Sequence, residues 1–427
     1  MAAISKKDKT LKKIAIIGSG ISGMTAAYLL NKKHDITLFE KDSRLGGHTA
    51  TIDVETSEGN VAVDTGFIVF NDRTYPLFEK LLDEINIGRN PTQMSFSVKT
   101  ADRDFEYNGH TFASLFAQKR NVFSLKFWRF LYSIIKFNRI AKELYHSGDY
   151  SKYKNLGEFL DVYGFDDFFK SHYILPMGAA IWSTSLKGML DFEIQFFIRF
   201  FYNHGLLDVA GRPQWYVIPG GSKQYIAPLT QSYADKIRLS ANIQGVTRDN
   251  NGVEILFDNG SVERFDEVVF ACHSDQALGL LTDASDIEKE VLGAISYTPN
   301  SVVLHTDISL LPKRKAAWAS WNYLLDQGRS RPATVTYQMN ILQKLDSNQQ
   351  FCVTLNNDEQ IASDKVIQKF EYFHPVFNTQ SIQAQKRKDE VDGANKTYFC
   401  GAYWFNGFHE DGVKSAVDVA KKLGVEF

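Results

Sequence analysis

Lys13-Ile-Ala-Ile-Ile17 runs directly into Gly18-Ser19-Gly20-Ile21-Ser22-Gly23, and Ile36-Thr-Leu-Phe-Glu40 follows after one helical length of chain. The first run reads as a buried strand, Ile21 to Asn31 as a helix, and Ile36 to Glu40 as a second strand. This βαβ opening implies a parallel sheet. Glycine has a separate reason at each place: Gly18 makes the tight turn, Gly20 lets a diphosphate approach the backbone, and Gly23 lets the helix pack on the strand. Backbone N–H groups along Gly18–Gly23, with Ser19, Ile21 and Ser22 between the glycines, then face the phosphates at the positive end of the helix. Glu40 closes the second strand, where a carboxylate can accept hydrogen bonds from a ribose diol. The expected ligand is a dinucleotide.

The next residues, Glu40-Lys-Asp-Ser-Arg44-Leu-Gly46-Gly47-His48, narrow the choice of dinucleotide. Here the chain resembles the flavoprotein amine oxidase superfamily, which includes monoamine and polyamine oxidases, protoporphyrinogen oxidase and phytoene desaturases. Members carry E-x-x-x-R-x-G-G after the second strand, and the resemblance implies that Arg44, Gly46 and Gly47 line the diphosphate and ribityl part of FAD. A guanidinium fork suits two phosphate oxygens. Further pieces resemble the family in order: Asp64-Thr-Gly66-Phe67-Ile, Pro219-Gly220-Gly221, Phe265-Asp-Glu-Val-Val-Phe-Ala271, Tyr398-Phe-Cys-Gly401 and Glu410-Asp411-Gly412-Val413. The family writes P-x-G-G where this chain has proline directly before the glycines. The resemblance also implies that the Val246 backbone meets the adenine and that the final helix, from about Gly412, points its N-terminus at the flavin. The chain has one G-x-G, so a second, nicotinamide-binding domain is not expected. The covalent flavin cysteine of some members has no match, and Cys400 reads as core. The expected cofactor is FAD, held non-covalently, with no metal.

Length and charge bound the rest. A chain of 427 residues is too long for one ordinary core, so two domains are expected. With 48 basic and 50 acidic residues there is no global field to attract nucleic acid. Three scattered cysteines argue against a disulfide framework or zinc site and for a cytoplasmic location. The lysine-rich start, Met1 to Leu11, leads into an apolar run too short for a signal peptide, and no segment has the length of a membrane span.

The fold class expected is α/β: a glutathione-reductase-type, Rossmann-like FAD domain with an interleaved α+β substrate domain. Residues 11–74, 212–294 and 394–427 are assigned to the FAD domain, and 75–211 and 295–393 to the substrate domain. Helical patterns dominate from Tyr75 to Tyr202. Strand signals return at 242–246, 254–257, 267–271, 301–306, 334–338, 351–355 and 397–401.

A flavin supplies the redox chemistry, so the protein must position the substrate and exclude side reactions. The loop Tyr403-Trp404-Phe405-Asn406-Gly407-Phe408-His409 is aromatic, but His409 falls about where the family's amine oxidases carry tyrosine. Tyr403, Trp404 and His409 are the catalytic candidates, with His409 as an acid/base. His374, Trp321 and Asn322 are weaker ones. Phe123, Phe127, Phe130, Leu131, Ile134 and Phe137 share one helical face and Arg129, Lys136 and Arg139 the other, a pattern of anionic-membrane contact or of an ordinary core helix. The chain is also similar to bacterial predicted NAD/FAD-binding amine-oxidase-like proteins related to a domain fused to plant cyclopropane fatty acid synthases. That resemblance implies a lipid acyl substrate and a lipid-modifying partner enzyme, and the basic helix adds contact with the inner membrane surface as an expectation. The expected reaction is dehydrogenation or desaturation by hydride transfer to flavin N5. The alternatives are an amine oxidase releasing imine and hydrogen peroxide, and a non-catalytic FAD-binding accessory.

Overall fold

The computed structural model describes residues 11–208, 211–326 and 332–427. Apart from Leu11, the lysine-rich start lies outside them. The chain forms two compact units.

The first unit contains residues 11–47, Tyr225–Ser296 and Gln383–Phe427. Strand β1 (Lys13–Ile17), helix α1 (Ile21–Leu30) and strand β2 (Asp35–Phe39) open it. In its five-stranded sheet, Ile237–Arg238, β2, β1, Glu267–Phe270 and Thr397–Phe399 lie side by side, all parallel. Ile14, Ile16, Ile36 and Leu38 from the sheet bury themselves with Ala26, Leu30, Val419 and Leu423 from the helices. Burying each of the larger of these side chains contributes about 1.5–3 kcal/mol, which is why the strands are rich in apolar residues. A three-stranded antiparallel sheet, Ile243–Asp249, Gly252–Phe257 and Val262–Phe265, completes the strands.

The second unit contains His48–Gln224 and Tyr297–Ile382. Its seven-stranded sheet runs Val366–Pro375, Tyr297–His305, Cys352–Leu355, Val335–Gln338, Trp321–Leu325, Phe96–Thr100 and Glu106–Asn108. One pair, Trp321–Leu325 with Phe96–Thr100, is parallel, and the other pairs are antiparallel. The long helix Leu125–Ser147 starts at Ser124, whose side chain accepts from the Phe127 N–H, and stops at Gly148 with φ 65°.

The compact units cut the chain at other points than the sequence suggests. Residues 48–74 and 212–224 belong to the second unit, because Val63, Ile68 and Val217 share a core with Val302, Leu304 and Met339. Residues 383–393 belong to the first unit, where Val391 and Asp392 pack beside Thr397–Phe399 and the Asp392 carboxylate accepts from the Phe399 N–H at 2.9 Å. The stretch 75–202 is not wholly helical, since it contains the strands Asn90–Thr92, Phe96–Thr100 and Glu106–Asn108.

Candidate functional site

In the first unit the glycine-rich turn is built as its sequence requires. Gly18 has φ +104°, a setting that side-chain-bearing residues rarely adopt, and a Cβ there would lie 2.9 Å from the Ala271 carbonyl. A Cβ on Gly23 would come within 1.8 Å of the Gly18 oxygen. Gly20 is different, because a Cβ there would meet nothing within 4 Å. Gly20 is also the N-cap of α1 and makes no side-chain cap hydrogen bond. Open space beside a helix N-terminus whose N–H groups lack a side-chain cap suits a diphosphate.

A second helix N-terminus meets the first. The last helix runs His409–Lys422, three residues earlier than the sequence suggests. A Cβ on Gly412 would lie 2.7 Å from Ile21 Cγ2 and 2.9 Å from Ser22 Oγ, so only glycine permits this approach. Val413 is fully buried behind it. Two positive helix ends converge here, which favours an anion.

Glu40 is buried. Its Oε2 accepts from Ser19 N at 2.9 Å and Ser19 Oγ at 2.6 Å, and its Oε1 accepts from Asp42 N at 2.9 Å. A carboxylate offers about four acceptor positions, which leaves capacity for a ribose hydroxyl. The Gly46–Gly47 segment lies on the same turn: Gly46 N donates to Ser19 O at 3.1 Å, and a Cβ on Gly47 would lie 3.3 Å from Gly20 Cα. Exposed Arg44 donates through Nη2 to Gly47 O at 2.9 Å. The turn, the carboxylate, the arginine and the paired helix ends fit a dinucleotide.

Val246 lies in the strand Ile243–Asp249. It is fully buried, and its carbonyl accepts from Thr282 N at 3.1 Å and Thr282 Oγ1 at 3.3 Å. The backbone that adjoins Glu40 comes earlier, where Ala241 N donates to Glu40 O at 2.8 Å and Ile243 N donates back to Ala241 O at 3.0 Å. A bulge between Ile243 and Gly245 breaks the ladder there. Residues 241–243 are a further adenine-side candidate beside Val246.

The three catalytic candidates are all packed within the first unit. Trp404 is 2% exposed and donates its indole N–H to Phe399 O at 3.1 Å, so it is a core residue. Tyr403 is 3% exposed, and its ring lies over Gly401, where a Cβ would be 2.2 Å from Cε1. Gly401 N donates to Ser415 Oγ at 2.8 Å. His409 sits in the first helical turn with Nε2 3.0 Å from the Tyr225 hydroxyl. Asp411 fixes the loop before it, accepting from Phe408 N at 2.9 Å and Asn406 N at 3.2 Å; burial pushes its carboxyl up to about 6.

In the second unit, the chain directly after Gly47 forms a cluster that the motifs did not reveal. Phe67 N donates to His48 O at 2.8 Å, and a Cβ on Gly66 would lie 2.1 Å from that oxygen. The His48 ring lies 5.1 Å from Tyr372 and stacks 5.7 Å from His374. The Tyr372 hydroxyl and Thr65 Oγ1 are 3.0 Å apart. Burial, and then the neighbouring His48, push His374 down to about 3, so its ring is neutral at ordinary pH. Phe370, Tyr372 and His374 alternate along one strand, and that period-two spacing was the available signal.

Beside them lies an apolar cluster including Ile68, Val69, Met94, Tyr337 and Trp321. Trp321 Nε1 is buried among the described residues without an acceptor, at a cost of about 1–3 kcal/mol. Asn322, by contrast, is spent on structure: its side chain donates to Ala319 O and Thr336 O and accepts from Ser97 Oγ.

Residues 21–320, more than half of the chain, match the family model described as flavin containing amine oxidoreductase. The chain belongs to that family. Its family is one of flavin-containing oxidoreductases. The chain is 26% identical over 276 residues to a "probable flavin-containing monoamine oxidase A" of Dictyostelium discoideum, covering 61% of this chain and 57% of that protein. A 1-hydroxycarotenoid 3,4-desaturase of Flavobacterium is 28% identical over 165 residues, covering 36% of this chain and 33% of that one. The chain thus spans less than two thirds of either curated relative. A solved fatty acid isomerase from P. acnes, which produces CLA, superposes with a TM-score of 0.67 at 15% identity, covering 99% of this chain and 100% of the other. At that identity the likeness shows the fold.

Proposed function

We propose that this flavoenzyme dehydrogenates or desaturates a fatty acyl chain of a lipid, bound against the apolar cluster of the second unit. The observation that carries this reading is the Trp321 indole N–H, a buried donor lacking an acceptor in apolar surroundings. An acyl substrate brings a carbonyl or carboxylate oxygen to such a donor. An ammonium brings only more donors. The carotenoid desaturase, whose name specifies a hydrocarbon-rich substrate, supports the same choice.

In this reading Trp321 positions the acyl head, and Ile68, Val69 and Met94 hold the chain and exclude water. Tyr372, hydrogen-bonded to Thr65 and beside His48, is the proton-carrying group of that cluster. Bound FAD would supply the hydride acceptor. The attachment is non-covalent, because Cys400 is fully buried and its thiol is pushed far up, away from the reactive thiolate.

The test is anaerobic: the flavin band is followed while unsaturated phospholipids or fatty acids, and separately primary amines and polyamines, are added. Bleaching by the lipids alone supports the proposal. Bleaching by amines alone overturns it and restores the amine oxidase reading that the Dictyostelium relative favours.

A further inference from the structure

The long helix Leu125–Ser147 buries one face through Phe127, Phe130, Phe137, Ile140 and Leu144. A helix that only covers a core is polar on its other side. This one carries a second apolar stripe: Leu125 is 87% exposed, Trp128 45%, Tyr132 64% and Ile135 61%, each three or four residues from the next. Phe123, 90% exposed, and Phe112, 73% exposed, extend it. The pieces are contiguous. Trp128 donates its indole N–H to Val122 O at 2.8 Å, and the Phe116 ring lies 5.5 Å from Trp128 and 4.8 Å from Phe112. Scattered exposed apolar residues are ordinary, but a continuous aromatic and aliphatic patch marks a docking surface.

Charge selects the occupant. From Tyr107 to Lys142 there is no Asp or Glu. Lys119, Arg120, Lys126, Arg129 and Arg139 are exposed along the same segment. Carboxylates from neighbouring elements reach some of them: Asp104 pairs with Arg120, and Asp166 lies 3.5 Å from Arg129. Glu143, on the helix itself, lies 3.8 Å from Arg139. These pairs are solvent-exposed, so they are weak and exchange readily. The Lys126 ammonium lies over the Phe168 ring at 4.1 Å. A second copy of this chain docked through the same patch would set basic segment against basic segment. An anionic bilayer offers the opposite charge, and its interfacial layer accommodates Trp and Tyr.

We infer that Phe112, Phe123, Leu125, Trp128, Tyr132 and Ile135 seat this protein on an anionic phospholipid surface, with the neighbouring cations over the lipid phosphates. Among the described residues no helix is long and apolar enough to cross a membrane, so these residues engage one leaflet. The face is not the one suggested by the sequence: Phe127, Phe130 and Phe137 are core, and the membrane stripe lies opposite. The inference stands apart from the acyl substrate proposed above, since a surface-bound amine oxidase would show the same binding.

The flavin-loaded full chain is sedimented with vesicles of phosphatidylcholine alone or mixed with phosphatidylglycerol. The anionic vesicles should bind at least about tenfold more protein, and Phe123→Ser/Leu125→Ser should lose about that factor while retaining its flavin. In parallel, brominated-acyl phosphatidylglycerol should quench tryptophan fluorescence in the parent and markedly less in Trp128→Phe. Equal binding of parent and double variant, or quenching unaffected by Trp128→Phe, overturns the inference. So does a parent dimer that the double variant converts to monomer, which would give the patch to a second copy.

Discussion

Asp64 Oδ1 accepts hydrogen bonds from both the amide of Ser222, at 2.8 Å, and its hydroxyl, at 2.9 Å, across 158 residues of chain. Thr51 Oγ1 donates to the same oxygen at 2.6 Å, whereas Oδ2 is buried without a partner among the described residues. Burial pushes the carboxyl up to about 6. A folded-state pKa above the unfolded value means that this residue's contribution is complete at low pH and is lost as pH rises through about 6. Asp64→Asn keeps an acceptor oxygen and cannot ionise. Its stability relative to the parent should therefore improve between about pH 4.5 and 8, by on the order of 2 kcal/mol, in urea unfolding curves. Asp64→Ala should cost roughly 2–4 kcal/mol, because it strands the Ser222 amide and the Thr51 hydroxyl.

Gly20 and Gly23 look alike in the motif and should fail differently. A Cβ on Gly23 collides with the Gly18 oxygen, so Gly23→Ala should lower the melting temperature sharply. A Cβ on Gly20 meets no protein atom within 4 Å, so Gly20→Ala should melt like the parent apoprotein yet purify with little flavin. Calorimetry of the apoproteins and the visible-to-ultraviolet absorbance ratio separate the two effects.

Glu40→Ala removes the expected ribose acceptor and releases the Ser19 amide and hydroxyl. Hydrogen bonds to a charged group are worth about 1.5–3 kcal/mol, so FAD affinity should fall roughly 10–100-fold in fluorescence titrations of the apoprotein. Unchanged affinity would remove Glu40 from the cofactor site.

Trp321→Phe deletes the stranded donor together with part of a ring. The relief of an unsatisfied group and the loss of packing oppose each other, so stability should change by less than about 1 kcal/mol. If the donor holds an acyl oxygen, KM for the lipid substrate should rise about tenfold with kcat little changed. A variant with parental KM would locate the acyl head elsewhere.

Burial lowers His374 to about 3 and His172, His204 and His305 to about 4. These groups are neutral when folded, so their contribution is complete above about pH 6.5 and is lost as pH falls toward the folded values. The sign is opposite to that of Asp64. Stability should drop steeply below about pH 6, and His374→Gln should shallow that slope by close to one proton in the pH dependence of the urea midpoint.

Much of the first unit was legible because its constraints are local. Gly18, Gly20 and Gly23 serve one turn within six residues, and β1 and β2 are apolar at Ile14–Ile17 and at Ile36, Leu38 and Phe39 because a parallel sheet buries both of its faces. Gly46 and Gly47 follow soon after β2 and lie on that same turn, with Arg44 bonded to Gly47. The strand Val366–Pro375 was missed because it is largely exposed, so only Phe370, Tyr372 and His374 mark its buried face. The same lack of contrast let the apolar residues of Leu125–Ser147 be assigned to a single face, although the helix carries two.

The sequence by itself determined the dinucleotide turn, the flavin family and the order of the strands around them, since each rests on residue types at short fixed spacings. Tertiary structure alone decided which groups stand beside one another across long separations. It joined Asp64 to Ser222 and brought His48 to Tyr372 and His374. It closed His409 against Tyr225 and left the Trp321 indole without an acceptor. Hydrogen bonding and burial depend on distance in space, and a pattern along the chain fixes that distance only within one turn or one strand.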